Sequence, residues 1–95
     1  MNRLVLSATL VQRSALRFTP AGLPALDLGL VHESTVSEDG QPRKVSIEMR
    51  AVGIGAITRE LSALALGGQA CYGGFVAAAR NGRGVVFHVT SVEPV

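Results

Sequence analysis

The segment "GFVAAARNGRGVVFHV", residues 74–89, places two apolar runs on either side of Asn81-Gly82. Asn-Gly suits a two-residue type I′ turn, because both central residues of that turn need positive φ, which glycine tolerates freely and asparagine better than most residues. The segment therefore predicts a β-hairpin. In a two-residue loop, Arg80 and Arg83 form the closing pair and project from the same face of the ribbon.

Two arginines at one hairpin tip have two interpretations. Hairpin tips are exposed to water, so arginine there can serve only to keep the chain soluble. Directly opposed like charges destabilise a β-ribbon by roughly a few tenths of a kcal/mol or more, however, so the pair can also indicate a site for an anionic ligand. The fold predicted from the rest of the sequence helps to choose between a solubility role and an anion-binding role for the two arginines.

Period-2 alternation of apolar residues predicts three strands upstream of the hairpin, each with one face turned to the core. Strand one runs from Arg3 to Arg13, strand two contains "LDLGL", and strand three begins at Arg43. Between strands two and three, the polar stretch "ESTVSEDGQP", residues 33–42, predicts a solvated and mobile loop. The core-facing sets are Leu4, Leu6, Ala8 and Leu10 in strand one, Leu26, Leu28 and Leu30 in strand two, and Val45, Ile47, Met49 and Ala51 in strand three.

A short helix or turn is predicted between strands three and four, where Ile57, Leu61 and Leu64 fall at i, i+4 and i+7 ahead of Gly67-Gly68. The order is then three strands, a short helix and two strands. An antiparallel barrel is the economical closure of that order, because curling the sheet removes its exposed edges. The sequence thus predicts an all-β fold, a five-stranded OB-fold barrel, as a single domain over residues 1–95.

The composition favours a cytoplasmic protein of mildly basic character. The formal net charge is +2, and eight of the nine basic residues are arginine, whose planar group binds two oxygens of a carboxylate or phosphate at once. The lone Cys71 can form no intrachain disulfide and fits a reducing compartment. The apolar run after Arg3 lacks a signal-peptide cleavage site, and Gly-Gly pairs divide the uncharged stretch between Glu60 and Arg80, so neither predicts a membrane segment.

Residues with catalytic or metal-binding chemistry are few and scattered. His32, Cys71 and His88 lie too far apart in sequence for the spacing of a metal site, and His88 is interpreted as a strand residue opposite Phe75. The "GIGAIT" segment begins like a dinucleotide fingerprint, but its third glycine position holds Thr58. We therefore expect no enzyme activity, no catalytic residues, no metal and no cofactor.

Basic residues fall where an OB fold meets its ligand, in the loops between strands one and two and between strands four and five, and on the faces of strands two and three. Phe87 is predicted to lie in the core. Phe18 in the first loop either stacks on a base or covers the barrel mouth, and the roles of Tyr72 and Phe75 stay open. The candidate nucleic-acid contacts are Arg17, Arg43, Lys44, Arg50, Arg80 and Arg83.

Three segments resemble one bacterial family along nearly the whole chain: "NRLVLSATL" at residues 2–10, "LRFTPAGLPALDLGLVHES" at 16–34 and "RNGRGVVFHVTSVE" at 80–93. They are similar to the primosomal replication protein N (PriB) family. The "LR-x-TP-x-G" pattern in the second segment is shared with the wider single-stranded-DNA-binding proteins. Those general proteins normally continue into a long Gly/Pro-rich region with an acidic tip, which does not follow Val95 here, so we expect the primosomal family.

The resemblance implies an OB-fold homodimer that is not an enzyme. It implies that the chain bridges single-stranded DNA and the primosomal helicase PriA, together with other primosome components, when stalled replication forks restart. In the family's DNA-binding pattern, Arg17 matches the basic residue before the Thr/Ser-Pro turn. Arg80 matches a basic position of the last hairpin, and Arg83 is a nearby substitute for another.

Three positions depart from the family's pattern. Glu33 replaces a basic residue, Ser46 stands at the position of a tryptophan, and Val85 stands where a lysine is expected. Ser46 is kept among the candidate DNA-binding residues because of its position. The departures remove one stacking platform and two positive charges, so we expect weak DNA binding.

Two alternatives stay open beside that reading. One is a protein-interaction adaptor with weak or vestigial DNA binding, and the other is a general single-strand-binding protein without its tail. Val5 and Val11 are apolar residues on the polar side of strand one, which makes them candidates for the dimer interface.

Overall fold

Five long strands, one very short strand and one short helix make up the structure, a computed structural model that describes residues 1–95. The elements are β1 (Leu4–Arg13), β2 (Arg17–Phe18), β3 (Pro24–Glu38), β4 (Gln41–Ile54), α1 (Ile57–Ala63), β5 (Gln69–Ala78) and β6 (Val85–Pro94). The helix lacks the length and apolar character needed to cross a membrane.

Strand β1 closes the sheet into a barrel. Its first half, from Leu4 to Thr9, pairs with β5, and its second half, from Thr9 to Arg13, pairs with β3. The register shifts between Leu10 and Gln12, and this β-bulge bends the strand from one neighbour toward the other. The other neighbours follow in the order β5, β6, β4 and β3, with β4 and β6 parallel. This closed five-stranded barrel, with α1 between β4 and β5, confirms the predicted OB fold.

The core consists of inward side chains from all five long strands and from α1. Tyr72 and Phe87 are fully buried, so Phe87 lies in the core as predicted and Tyr72 is excluded as a platform for a base. The Tyr72 hydroxyl has no hydrogen-bond partner in the chain, and burial raises the pKa of Tyr72. The helix packs its buried Leu61 against Gly53, where a Cβ atom would lie 2.2 Å from the Leu61 Cδ1 atom.

Strands β3 and β4 continue as a long hairpin beyond the barrel, so the predicted mobile loop at residues 33–42 is wrong. Glu33–Glu38 pairs in register with Gln41–Ser46, and the chain reverses at Asp39-Gly40, where φ is 51° and 75°. Positive φ at both central residues is the type I′ geometry that tight hairpins favour. We call residues 33–46 the projecting hairpin. Because β3 and β4 outrun the other strands, Ile47 is 40% exposed rather than buried in the core as predicted.

The loop between β5 and β6 is longer than the predicted two-residue turn. Its backbone bonds run from the Ala79 N–H to the Gly84 carbonyl (3.1 Å) and from the Gly82 N–H to the Ala79 carbonyl (2.9 Å). Gly82 and Gly84 have positive φ, whereas Asn81 does not. The prediction of a type I′ turn with Arg80 opposite Arg83 is therefore wrong, because two glycines separated by one residue allow the chain to form a wider loop.

We expect Gly74→Ala to destabilise the fold strongly. The register of β5 against β6 shifts between Gly73 and Gly74, and a Cβ atom at Gly74 would lie 1.8 Å from the His88 carbonyl oxygen and 3.1 Å from the Thr90 backbone nitrogen. Backbone atoms cannot rotate away, so the overpacking should cost about 3 kcal/mol of unfolding free energy, measured by urea denaturation.

Gly73→Ala is the matched control for this clash. The added Cβ atom would approach only the Ser91 side chain, at 2.6 Å from its Oγ atom. Because that side chain can change rotamer, the loss should stay below about 1 kcal/mol. Equal losses in the two variants would contradict a backbone clash at Gly74.

Candidate nucleic-acid interface

A groove of about 710 Å³ crosses the outside of the barrel between the β1–β2 segment, strands β3 and β4, and the β5–β6 loop. We call it the arginine groove. It brings together charged side chains from parts of the chain that are far apart in sequence. The titratable and charged residues that line it are Arg13, Arg17, Asp27, Arg50, Arg80 and His88.

Strand alternation turns polar side chains of β3 and β4 toward the groove. Leu28 and Ala51 pair with each other across these strands and are buried in the core. Their chain neighbours Asp27 and Arg50 therefore point outward. Arg50 pairs with Gly29, which presents no side chain beside it. The two strands thus supply one acid and one base to the same face.

Arg17 forms a two-pronged ion pair with Asp27 in this groove. The Arg17 Nε atom lies 2.8 Å from Oδ2 of Asp27, and the Nη2 atom lies 3.0 Å from Oδ1. Strand β2 brings Arg17 to this place by pairing it with Ala25, two residues before Asp27 on β3. Each side chain is about half exposed, at 47% and 51%.

The ion pair shifts the pKa of both partners. Hydrogen bonds from Arg17 are the main cause that lowers the pKa of Asp27, while partial burial opposes the change and the charges of Arg17 and Arg50 add to it. The same hydrogen bond raises the pKa of Arg17. Asp27 therefore keeps its negative charge in a groove whose only other charged lining residues are arginines.

Arg13 lines the groove, but its guanidinium group is committed to the helix. The Arg13 Nη1 atom donates to the carbonyl oxygens of Leu61 (3.2 Å) and Leu64 (2.5 Å), at the C-terminal end of α1. The last turn of α1 has no basic residue of its own, and a cation is favourable there because the final carbonyl groups lack partners. Arg13 thus fastens the end of β1 to the helix.

Some predicted contacts meet in the groove and others do not. Arg83 lies in the β5–β6 loop outside the groove lining, and its backbone N–H donates to the Asn81 Oδ1 atom at 2.9 Å. Arg43 lies on the projecting hairpin, on the strand face opposite to that of Arg50, and forms an ion pair with Glu38. The predicted contacts that the groove brings together are Arg17, Arg50 and Arg80.

Lys44 and Ser46 share the outward face of β4 with Arg50, because residues two apart in a strand point to the same side. Two acids interrupt this face. Glu48 lies between Ser46 and Arg50 along β4, and Glu33 pairs with Ser46 across the hairpin. The polar residues of the projecting hairpin are therefore separated from the groove by negative charge.

The aromatic side chains provide one stacked pair beside the groove. Phe75 and His88 are paired across β5 and β6, as predicted, with ring centroids 4.8 Å apart and an angle of 8° between the planes. His88 lines the groove, and Phe75 is 38% exposed. Phe18 on β2 is 66% exposed, so its ring is accessible to a base.

Three of the six charged or titratable residues that line the groove were not among the contacts predicted from the sequence. Asp27 carried a usable signal, since it is an acid on the outward side of a strand that otherwise alternates with leucine. Arg13 and His88 carried none, because their positions in the groove depend on pairings of β1 and β6 with distant strands.

The His32 side chain links β3 to β1. Its Nδ1 atom lies 2.5 Å from the Ser7 carbonyl oxygen on β1, and its Nε2 atom lies 2.8 Å from the Ser34 Oγ atom. The chain has no group of three or more His, Cys, Asp or Glu side chains that could hold a metal ion.

Apolar side chains lie exposed on the outer side of β1. Val5 is 56% exposed and Val11 is 52% exposed. Val31, which pairs with Thr9 of β1, is partly exposed on the neighbouring strand β3. The predicted interface residues are therefore accessible to a partner.

Comparison with known proteins finds similar sequences and similar structures. A family model described as "another single-strand binding protein family" matches residues 2–91. The chain is 49% identical over 81 residues to the Replication restart protein PriB of Bordetella pertussis, with 85% of this chain and 76% of that protein covered. The structure of PriB from Ralstonia solanacearum has a TM-score of 0.89 and 35% identity, covering 99% of this chain and 97% of that chain. The wild-type single-stranded DNA binding protein from Thermus aquaticus has a TM-score of 0.76 and 26% identity, covering 100% of this chain and 50% of that chain.

Proposed function

Because the chain belongs to the replication restart protein PriB family, within the single-strand binding proteins, we propose that it is a non-enzymatic accessory protein of DNA replication. It binds single-stranded DNA in the arginine groove and acts in replication restart on the bacterial chromosome, in the cytoplasm. The observation that carries this proposal is the meeting of Arg17, Arg50 and Arg80, from three separated segments, in one groove.

The groove arginines suit a phosphate backbone. A planar guanidinium group donates two parallel hydrogen bonds to phosphate oxygens, and Arg50 and Arg80 have no hydrogen-bond or ion-pair partner within the chain to compete. Each neutralised phosphate releases condensed counterions, so such binding does not depend on base sequence and weakens as salt is added. The His88 ring, which lines the groove and has Phe75 stacked on one face, adds a flat ring of the kind on which bases stack.

Other features of the groove favour weak binding. Arg17 already has Asp27 as a partner, and the Arg13 guanidinium is engaged by the helix. Ser46 cannot stack on a base. Because stacking contributes about 1–3 kcal/mol per base, the missing platform should lower affinity by about 5- to 140-fold relative to a chain that has an aromatic residue at this position.

We expect Arg50→Ala and Arg80→Ala each to weaken the binding of labelled oligothymidylate. Each change removes one phosphate contact, so the slope of log affinity against log salt should become shallower by about 0.7. Fluorescence anisotropy over a salt series measures both quantities. The label is needed because the chain contains no tryptophan.

Arg59→Ala is the matched control, because Arg59 is an exposed arginine of α1 that lies outside the groove. Its affinity and salt slope should stay close to those of the unchanged chain. Equal effects in Arg59→Ala and Arg50→Ala, or unchanged binding by the double variant of Arg50 and Arg80, would contradict the groove as the DNA site.

Four of the proposed contacts lie outside the groove. We propose that these residues contact only a DNA strand that is long enough to extend beyond the groove. In the same anisotropy assay their variants should weaken the binding of long oligonucleotides and leave that of short ones unchanged. These contacts are Arg43, Lys44, Ser46 and Arg83.

We further propose that the chain bridges single-stranded DNA and the primosomal helicase PriA. An adaptor with vestigial DNA binding is the second candidate, and the Arg17–Asp27 pair favours it because it occupies a groove arginine. If the chain bridges, the double variant of Arg50 and Arg80 should lose stimulation of helicase activity in step with its loss of DNA affinity. Full stimulation by that variant would contradict bridging and support the adaptor.

We also propose a homodimer that buries the outer side of β1. Light scattering should give about twice the chain mass of 9.9 kDa, and replacing both Val5 and Val11 by aspartate should halve it. Val85→Asp is the control, since Val85 is also an exposed valine, at 53%, but on β6. A monomeric unchanged chain, or dissociation by Val85→Asp alone, would contradict this interface.

A further inference from the structure

We propose that Asp27 acts as an internal competitor of the DNA phosphate for Arg17 and so attenuates the affinity of the arginine groove. This inference rests on the proposed function, because it takes the groove to be the DNA site. It assigns Asp27 a role in setting how tightly and how salt-dependently the chain binds, which distinguishes it from a residue that only supports the fold.

The geometry of the pair matches the geometry of phosphate recognition. Two carboxylate oxygens of Asp27 accept from Nε and Nη2 of Arg17, at 2.8 Å and 3.0 Å, which is the two-pronged arrangement that a guanidinium group also makes with phosphate. A phosphate that binds this edge of Arg17 must therefore displace the carboxylate. The displaced Asp27 would then lie close to a second anion, which opposes binding further.

Asp27 is placed where DNA would meet it. Both side chains of the pair are about half exposed, and both line the groove together with Arg50 and Arg80. Asp27 also interacts electrostatically with Arg50, whose positive charge contributes to the lowered pKa of the Asp27 carboxyl group. One acid thus offsets part of the positive charge that two of the groove arginines would present to a strand.

The pair is not needed to hold the local structure. The segment before β2 is tied to β3 by the Ser14 N–H, which donates to the Asp27 carbonyl at 2.9 Å, and by the Asp27 N–H, which donates to the Ser14 Oγ atom at 3.0 Å. The turn after β2 is closed by a bond from the Thr19 N–H to the Leu23 carbonyl at 2.8 Å. Since these bonds do not use the Asp27 carboxylate and exposed ion pairs add little stability, the side-chain charge can change while the fold remains.

The test compares the unchanged chain with Asp27→Asn, which keeps the size of the side chain and removes its charge. Affinity and salt slope are measured for labelled oligothymidylate by anisotropy, and thermal melting confirms that the variant is folded. Glu93→Gln is the matched control, because it removes one exposed acid outside the groove lining. The same Asp27 change is also made in an Arg17→Ala background.

We expect Asp27→Asn to bind about two- to fivefold more tightly at low salt, the range that corresponds to an exposed ion pair. The salt slope should steepen by about 0.7, because Arg17 gains a phosphate contact. Glu93→Gln should change neither quantity appreciably. In the Arg17→Ala background, the gain from Asp27→Asn should be clearly smaller, because no Arg17 guanidinium group remains to be released and only the effect of Asp27 on the charge near Arg50 is left.

Three results would overturn the inference alone while the unchanged chain still binds DNA. The first is unchanged affinity in Asp27→Asn. The second is weaker affinity in that variant, which would make Asp27 a residue that positions Arg17 for DNA. The third is an equal gain in the Arg17→Ala background, which would indicate a general charge effect. If neither the unchanged chain nor Asp27→Asn binds oligothymidylate at low salt, the proposed function itself is overturned.

Discussion

Strand β1 exchanges partners along its length, from β5 to β3, and that exchange closes the barrel. Closure of the barrel then determines which face of each strand is buried and which is exposed to solvent. With Leu28, Ala51 and Phe87 in the core, the residues beside them must point outward, and Asp27, Arg50 and His88 reach the groove for that reason. The β1–β2 segment and the β5–β6 loop border the same groove, so Arg17 and Arg80 join them. The site is therefore a consequence of strand alternation in a closed sheet.

Fewer guanidinium groups are free to bind phosphate in the groove than its number of arginines suggests. Arg13 is bound to carbonyl groups of the helix and Arg17 is bound to Asp27, which leaves Arg50 and Arg80 without partners in the chain. When a protein binds DNA through fewer free cations, fewer counterions are released from the DNA. Its affinity therefore depends less on the salt concentration. The attachment of Arg13 to α1 and the pairing of Arg17 thus act in the same direction as the absence of tryptophan at Ser46.

Alternation and helical spacing were sufficient to predict the barrel portions of the five long strands, the position of the helix, the burial of Phe87 and the opposition of Phe75 and His88, but not the extension of β3 and β4 over residues 33–42. Those features depend on residues close together in sequence and on the general tendency of an antiparallel sheet to close into a barrel. The turns could not be predicted in the same way. Asp39-Gly40 and Asn81-Gly82 carry the same local signal, yet only the first forms the type I′ turn, because the second is followed by another glycine at Gly84. The pairing of Arg17 with Asp27, likewise, exists only once β2 lies beside β3.

The most direct test of the arginine groove is a two-dimensional nitrogen–proton NMR titration of the labelled chain with a short oligothymidylate. We predict that the largest shifts fall on the backbone amides of Arg17, Asp27, Arg50 and Arg80, at one side of the barrel, with the amides of α1 and of the Asp39-Gly40 tip unchanged. Shifts confined to the projecting hairpin, with the groove amides unmoved, would contradict the central claim that the groove binds the DNA strand.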